Sequence, residues 1–325
     1  MGKFQEYQFR ASQNHLLMGG TIGITEEQEK RITALVSERE TGLNNNGNKC
    51  KWTENKIKEL EKLDYNQKNP ELPKTMQNEL RKIHRSETFN RNFPFTNKYL
   101  QKGIDQEKEA TGDLNDYIIQ ELGINCFLDT NTVRLFNKYF QGLPDINPLI
   151  FKGKNCGFDT KCSWSLDTFP YSGDALDAVY EYQNQTYMDL SGAEMWITAY
   201  VLVNCTEQGV FNEKNKHFYA LGMPGDAEHK NWDALIVKYR EVEKMLIFDY
   251  DRFVALNPYH QIEYTRTEWM NELNPVTGEL GLDIPLKNRV VLKESFKNEK
   301  VLDEMRERVK AARNYLVSLE EQTKI

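Results

Sequence analysis

The order of periodic segments along this chain predicts an α/β sandwich with a mixed central sheet flanked by helices. Two observations carry that expectation. Between about residues 97 and 204, short apolar and aromatic runs alternate with longer stretches of helical periodicity. At 325 residues the chain is also long enough to bury a sizeable core as one large domain or two small ones. Mean hydropathy is low, −0.70, no apolar run reaches membrane-spanning length, and no N-terminal signal sequence is apparent, so a cytoplasmic protein is expected.

The opening segment holds Arg10, Ser12 and a glycine cluster, Gly19, Gly20 and Gly23. It lacks the Gly-Lys-Ser/Thr ending of a phosphate loop. Helical periodicity runs from Thr25 to about Glu40, the asparagine-rich tract from Gly42 to Lys51 breaks it, and two further helices are predicted over Thr53–Lys62 and Thr75–Arg85 with Pro70 and Pro73 between them. Residues 25–92 thus read as a helical elaboration. A core over 95–210 follows: a helix to about Leu122, strands near Thr132–Phe140, Asp145–Phe151 and Gly157–Cys162, a helix over Gly173–Leu190 and a strand over Met195–Asn204. The extension, 211–325, is expected to hold an aromatic strand at His217–Leu221, a helix over Asn231–Ile247 and a loop with Pro258, Pro275 and Pro285. A strand at Arg289–Leu292 then leads to a last helix, Glu299–Glu320, with the apolar stripe Val301, Met305, Val309, Ala312 and Leu316. The whole, 1–325, is read as a single domain.

Composition narrows the chemistry. The five cysteines, Cys50, Cys126, Cys156, Cys162 and Cys205, are odd in number and lack Cys-x-x-Cys spacing, which argues against a disulfide framework and a structural zinc site. His15, His84, His217, His229 and His260 are scattered without metal-ligand spacing, against a zinc hydrolase. A net charge of −7 opposes nucleic-acid binding, yet the charge is uneven: Asn46–Lys102 holds thirteen Lys or Arg against seven Asp or Glu. That segment reads equally as a phosphate-contacting surface and as a solvated helical insertion.

One constellation carries chemistry. Pro144-Asp145 is followed, after thirteen residues, by Asp159-Thr160-Lys161. In a strand, residues i and i+2 share a face, so Asp159 and Lys161 project side by side. Paired carboxylates with an adjacent ammonium suit metal-assisted phosphodiester hydrolysis, whereas the triplet alone also fits a solvated strand with a surface ion pair. Two helices accompany it: Lys98 to Glu107 carries Gly103-x-x-x-Glu107, and Tyr180 to Gly192 carries Gln183 and Tyr187 at i and i+4. Each helix by itself would also serve as an exposed acidic helix or an ordinary core stripe.

Taken in order, these segments resemble the PD-(D/E)XK nuclease superfamily, with its restriction-endonuclease-like core. The run Asp159-Thr160-Lys161-Cys162-Ser163-Trp164-Ser165 and the later Thr168-Phe169 are similar to phage-encoded alkaline exonucleases of the lambda exonuclease, YqaJ and exonuclease VIII type, over about residues 95–205. The resemblance implies that Glu107, Asp145 and Asp159, with the backbone carbonyl of Thr160, hold Mg²⁺ (or Mn²⁺) directly or through water. It makes Lys161 the catalytic lysine and gives Gln183 a supporting or substrate-contacting part. Ser163 and Tyr187 become candidate substrate contacts, and so does Arg10, for which an ordinary surface role is favoured. It further implies a deoxyribonuclease that digests one strand of linear duplex DNA, 5′ to 3′, for phage recombination in a bacterial host. Its partners would be DNA ends, further copies of itself in a ring such as a trimer, and a single-strand annealing protein, with no membrane. A site-specific or structure-specific endonuclease of the same superfamily, and a catalytically silent DNA-binding scaffold, are the competing functions.

The resemblance makes a geometric demand. If Phe151 paired with Cys156 around Lys152–Asn155, Asp145 would fall opposite Cys162, and Asp159 and Lys161 would point to the other face. Convergence of the two carboxylates therefore requires a one-residue shift, from an odd loop or from a bulge, and Asn147-Pro148 is the expected place because proline cannot donate to the ladder.

Overall fold

The computed structural model describes residues 2–91, 97–222, 231–256 and 283–323. Where a single domain was expected, the chain divides into two compact units: Met1–Phe93, Phe136–Gln141 and Glu299–Ile325 form the first, Pro94–Leu135 and Gly142–Asn298 the second. Segment 25–92 falls in the first, and 211–325 is split at Glu299.

In the first unit, β1 (Phe9–Arg10) leads to α1 (His15–Met18), α2 (Glu26–Thr41), α3 (Glu54–Lys68) and α4 (Lys74–Phe89). A capping box opens α2, where Thr25 and Gln28 exchange backbone and side-chain hydrogen bonds. Gly42, left-handed at φ 68°, closes it. Met76, Leu80 and His84, one turn apart, are the buried face of α4, which packs against the C-terminal helix (Glu299–Thr323). That helix buries Leu302, Met305, Val309, Ala312 and Leu316, so Leu302 takes the place expected for Val301. The expected strand Thr132–Phe140 is instead two short ones, β2 (Leu135–Phe136) and β3 (Phe140–Gly142). Between them the Asn137 carboxamide oxygen accepts from the N–H groups of Tyr139 and Phe140 and turns the chain. β1 pairs in parallel with β3, Phe9 beside Phe140.

The second unit opens with α5 (Lys98–Asp116), capped by Asn97 and prolonged by a π-helical turn, Tyr117–Glu121. β4 (Ile146–Phe151), β5 (Lys154–Cys162), α6 (Ala178–Ser191) and β6 (Met195–Val201) follow. Next come α7 (Glu207–Ala220), α8 (Trp232–Leu246), α9 (Tyr250–Leu256) and β7 (Val290–Phe296). The sheet has the order β4-β5-β6-β7. Only β5 and β6 run parallel, the outer pairs being antiparallel, so the sheet is mixed and α6 is the crossover that a parallel pair requires.

Alternation along the strands gives the two faces different chemistry. Phe158, Ile197, Ala199 and Val201 join Ala110, Leu114 and Ile118 of the α5 segment in one apolar cluster. The opposite face carries Asp159, Thr198 and Lys293 in one cross-strand row and Gly157, Trp196 and Ser295 in the next. Helix α6 covers it through polar contacts: the Asn184 amide donates to Thr198 Oγ1 at 2.9 Å and Ser295 Oγ at 3.0 Å, and Ser295 donates to Glu181 at 2.6 Å. A Cβ on Gly157 would overlap the Trp196 ring, so only glycine lets that buried indole lie across β5.

Three expectations change. His217–Leu221 is not a strand: it completes α7, which Thr206 caps by accepting from the Gly209 N–H, because a short apolar run suits either period and the capped polar stretch before it settles the matter. Helix α6 begins at Ala178 rather than Gly173, with Asp177 as its cap. β7 continues to Phe296, four residues past the expected end. His229, His260, Pro258 and Pro275 lie outside the described residues, and all five cysteines are free thiols.

Candidate active site

The hairpin between β4 and β5 sets the site. Phe151 pairs with Lys154 across a two-residue turn, Lys152-Gly153, whose φ angles of 49° and 79° are both positive, as a twist-matched hairpin turn needs. Leu149 then faces Cys156, but Ile146 faces Phe158: the register slips by one residue between them, at Asn147-Pro148. The even loop would have left the two carboxylates on opposite faces. Continued past Ile146, the slipped register sets Asp145 opposite Asp159. There the ladder ends, and Asp145 Oδ2 accepts the backbone N–H of Thr160 at 2.9 Å and its hydroxyl at 3.2 Å.

Asp159 is 1% exposed, and its Oδ2 has no hydrogen-bond donor beyond its ion pair with Lys161. The Lys161 ammonium, half-buried, also lies 4.9 Å from the centre of the Tyr180 ring. Burial pushes the Asp145 carboxyl up to about 8, and the neighbouring Asp159 charge adds to the rise. For Lys161, burial acts to lower the pKa, but the Asp159 and Asp145 carboxylates outweigh it and the ammonium is held above its ordinary range.

Behind these groups stands a hydrogen-bonded frame. Gln183 donates to the Tyr187 hydroxyl at 3.1 Å, which donates to the Leu143 carbonyl at 3.2 Å. On the other side of the Pro144-Asp145 step, the Asn131 amide donates to the Pro144 carbonyl at 3.0 Å, and its backbone N–H to the Asp145 carbonyl at 2.8 Å. The backbone that carries Asp145 is thus held from both sides. Two buried lysines are anchors of the same kind. Lys102 donates to the carbonyls of Ser163, Trp164 and Val203, just past the ends of β5 and β6; burial lowers its pKa to about 8. Lys293 donates to the carbonyls of Tyr171, Ser172 and Asp174.

Of the residues expected from sequence, Asp145, Asp159, Thr160, Lys161, Gln183 and Tyr187 gather here. Tyr187 is 4% exposed with its hydroxyl engaged, and Ser163 is buried, so both sit behind the site rather than at a substrate surface. Glu107, half-buried on α5, raises the Asp145 pKa only as the smallest of the named contributions. Arg10 is an exposed residue of β1 in the first unit and the structure does not group it with the others. Asn131, Lys102 and Lys293 were not expected. Lys102 had one signal: it shares a helical stripe with Gln106 and Ala110, all three buried. Asn131 had none, since a loop asparagine looks alike whether or not it holds its neighbours.

Among solved structures, the chain is similar to a phage-related exonuclease from Haemophilus somnus 129PT at 18% identity and a TM-score of 0.54, over 98% of this chain and 97% of that one. This chain has the fold of that phage-related exonuclease. Similarity also extends to LHK-Exo, an alkaline exonuclease from Laribacter hongkongensis, at 12% identity and a TM-score of 0.41 over 98% and 93% of the two chains. No family model and no curated protein matches the sequence. Among the described residues no helix is long and apolar enough to cross a membrane.

The donor set fits a hard divalent cation in part. Asp159 is buried and Asp145 half-buried, the Asp159 charge raises the Asp145 pKa, a repulsion that a cation would relieve, and the Lys161 ammonium is the one named partner of Asp159 Oδ2. Among the described residues, however, no three His, Cys, Asp or Glu side chains cluster closely enough to hold an ion. Glu107 does not complete such a cluster with Asp145 and Asp159.

Proposed function

We propose that this chain is a metal-dependent exodeoxyribonuclease acting on linear duplex DNA. The observation that carries this reading is the slip at Asn147-Pro148, which costs a regular ladder and leaves the Asp145 carboxylate accepting from the Thr160 N–H and hydroxyl, next to the Asp159–Lys161 ion pair. Asp145, Asp159 and the Thr160 carbonyl would hold Mg²⁺, with Glu107 reaching it through water. When bound, the ion supplies Lewis acidity toward a phosphoryl oxygen and the attacking water. Lys161, fixed by Asp159 and the Tyr180 ring, orients that water and offsets the negative charge that grows on the phosphoryl group. The Gln183–Tyr187 relay and Asn131 keep the Asp145 backbone in place.

The phage-related exonuclease of the same fold supports attack from ends, and the 5′ to 3′ direction, a ring such as a trimer and an annealing partner belong to the same proposal. The test is incubation with linear duplex labelled at one end or internally, and with closed circular duplex labelled internally, in Mg²⁺ or EDTA. Release of label from linear DNA in Mg²⁺ alone is expected. Equal cutting of closed circles would replace the exonuclease with an endonuclease, and intact DNA throughout would leave a silent binding protein.

A further inference from the structure

The basic segment of the first unit resolves into two helices with different charge behaviour. On α3 three of the four lysines are spent on neighbours: Lys56 pairs with Glu38, Lys58 with Glu54 and Lys68 with Asp64, all within 2.7 Å. On α4, Arg81, Lys82 and Arg85 line a cavity of about 690 Å³ whose other wall includes His15 and Gly19. Glu79, paired with Lys82 at 2.6 Å, is the one carboxylate in that lining. Arg85 makes no ion pair or hydrogen bond among the described residues, and His15 Nδ1 is buried without a partner.

The cavity is held in shape. Arg81 Nε donates to the Tyr315 hydroxyl at 3.0 Å, which fixes the guanidinium and leaves its remaining N–H groups for a ligand. Arg308 donates to the carbonyls of Leu17 and Gly20, at 3.0 and 2.9 Å, and so anchors the segment that forms the far wall. Arg81 and Arg85 are one helical turn apart and line the same concavity. Three permanent cations against one carboxylate make a positive hollow on a chain of net charge −7, and a concave low-dielectric wall focuses that potential. Its volume is that of a small-molecule site, enough for a sugar–phosphate unit and not merely one ion.

We infer that this cavity binds the sugar–phosphate backbone of the DNA substrate through Arg81, Lys82 and Arg85. The choice of DNA as occupant rests on the nuclease reading; the anion-binding chemistry does not. The cavity grips phosphates, so it adds affinity without sequence preference.

Anisotropy of a labelled linear duplex, titrated with the full chain in EDTA across a range of salt, tests the assignment. Replacing Lys82→Gln and Arg85→Gln together should reduce the slope of log affinity against log salt by roughly 0.9 for each phosphate no longer neutralised. Arg85→Lys should keep most of that residue's share of the slope. Thr75→Glu, an exposed position in the same lining, should weaken binding in the same direction and carries the test if the double variant fails to fold. An unchanged slope in the folded variants overturns the inference. So does a wild-type melting rise with inorganic phosphate, at matched ionic strength, that the double variant loses while its DNA slope stays the same: the cavity then takes small anions only. A wild-type protein that shows these slopes but cuts no DNA leaves the cavity assignment standing and removes the nuclease reading alone.

Discussion

The charges beneath α6 and those on α2 and α3 are arranged on opposite principles. On the sheet face, Asp159 is shut away from water, Asp145 beside it is half-buried with its pKa raised by desolvation and by the Asp159 charge, and its carboxylate accepts the Thr160 N–H. On α3, Lys58 and Glu54 also form a close ion pair, at 2.7 Å, with side chains 68% and 78% exposed. Distance alone does not separate the two regions. Solvent does: water screens the surface pair to a marginal worth, whereas the buried set retains its full repulsions and attractions and is destabilising unless something joins it. The contrast teaches that the slip in the β4–β5 ladder is meaningful because it concentrates like charges where they are costly.

The largest expected effect tests that claim directly. Lys161→Ala and Asp159→Asn should each lower hydrolysis of linear duplex by about 10²- to 10³-fold while circular dichroism shows the fold retained; wild-type rates from Lys161→Ala would erase the distinction between the regions. Next, Gly157→Ala should cost about 1–3 kcal/mol in urea unfolding, since the added methyl collides with the Trp196 ring and that ring lies 5.0 Å from Tyr187.

Asp145→Asn should do the reverse and stabilise the metal-free protein. The folded pKa, about 8, lies above the ordinary carboxyl value of 3.8, so this group's contribution to stability declines as pH rises from about 4 to about 8 and is flat beyond. Removing the charge removes that decline. A gain on the order of 2 kcal/mol at pH 8, shrinking toward pH 4, is expected from thermal melts in EDTA. A gain independent of pH would show that Asp145 is not the titrating group.

Smaller again, Tyr187→Phe deletes the hydroxyl between Gln183 and the Leu143 carbonyl and should cost about 1 kcal/mol. At the far end, Lys58→Ala should change stability by less than about 0.5 kcal/mol and leave activity untouched. A larger cost there would mean that α3 is not the screened surface described.

Much of the site was legible because its geometry follows from counting. Proline at position 148 cannot donate to a ladder, and the convergence of Asp145 and Asp159 that the resemblance implies needs an odd loop or a bulge; the structure takes the bulge, at Asn147-Pro148. Counting does not reach the turn itself: Lys152-Gly153 makes a two-residue loop where four residues are expected, and the two loops share the same parity. The aromatic run at His217–Leu221 reads as a strand because five residues fit either period, and the cap at Thr206 that decides between them lies eleven residues away.

Sequence by itself determined the alternation that makes a mixed sheet and the i, i+2 placement of Asp159 and Lys161, and it marked Asn147-Pro148 as a place where a ladder can slip. These are local: backbone periodicity and the chemistry of proline act over a few residues. Only the tertiary structure decided which groups those carboxylates meet. Asn131 closing on Pro144, Lys102 gathering three carbonyls from two strand ends, and the buried environment that raises Asp145 all join residues far apart in the chain. Desolvation and hydrogen-bond satisfaction depend on what packs around a group, and no stretch of sequence carries that information alone.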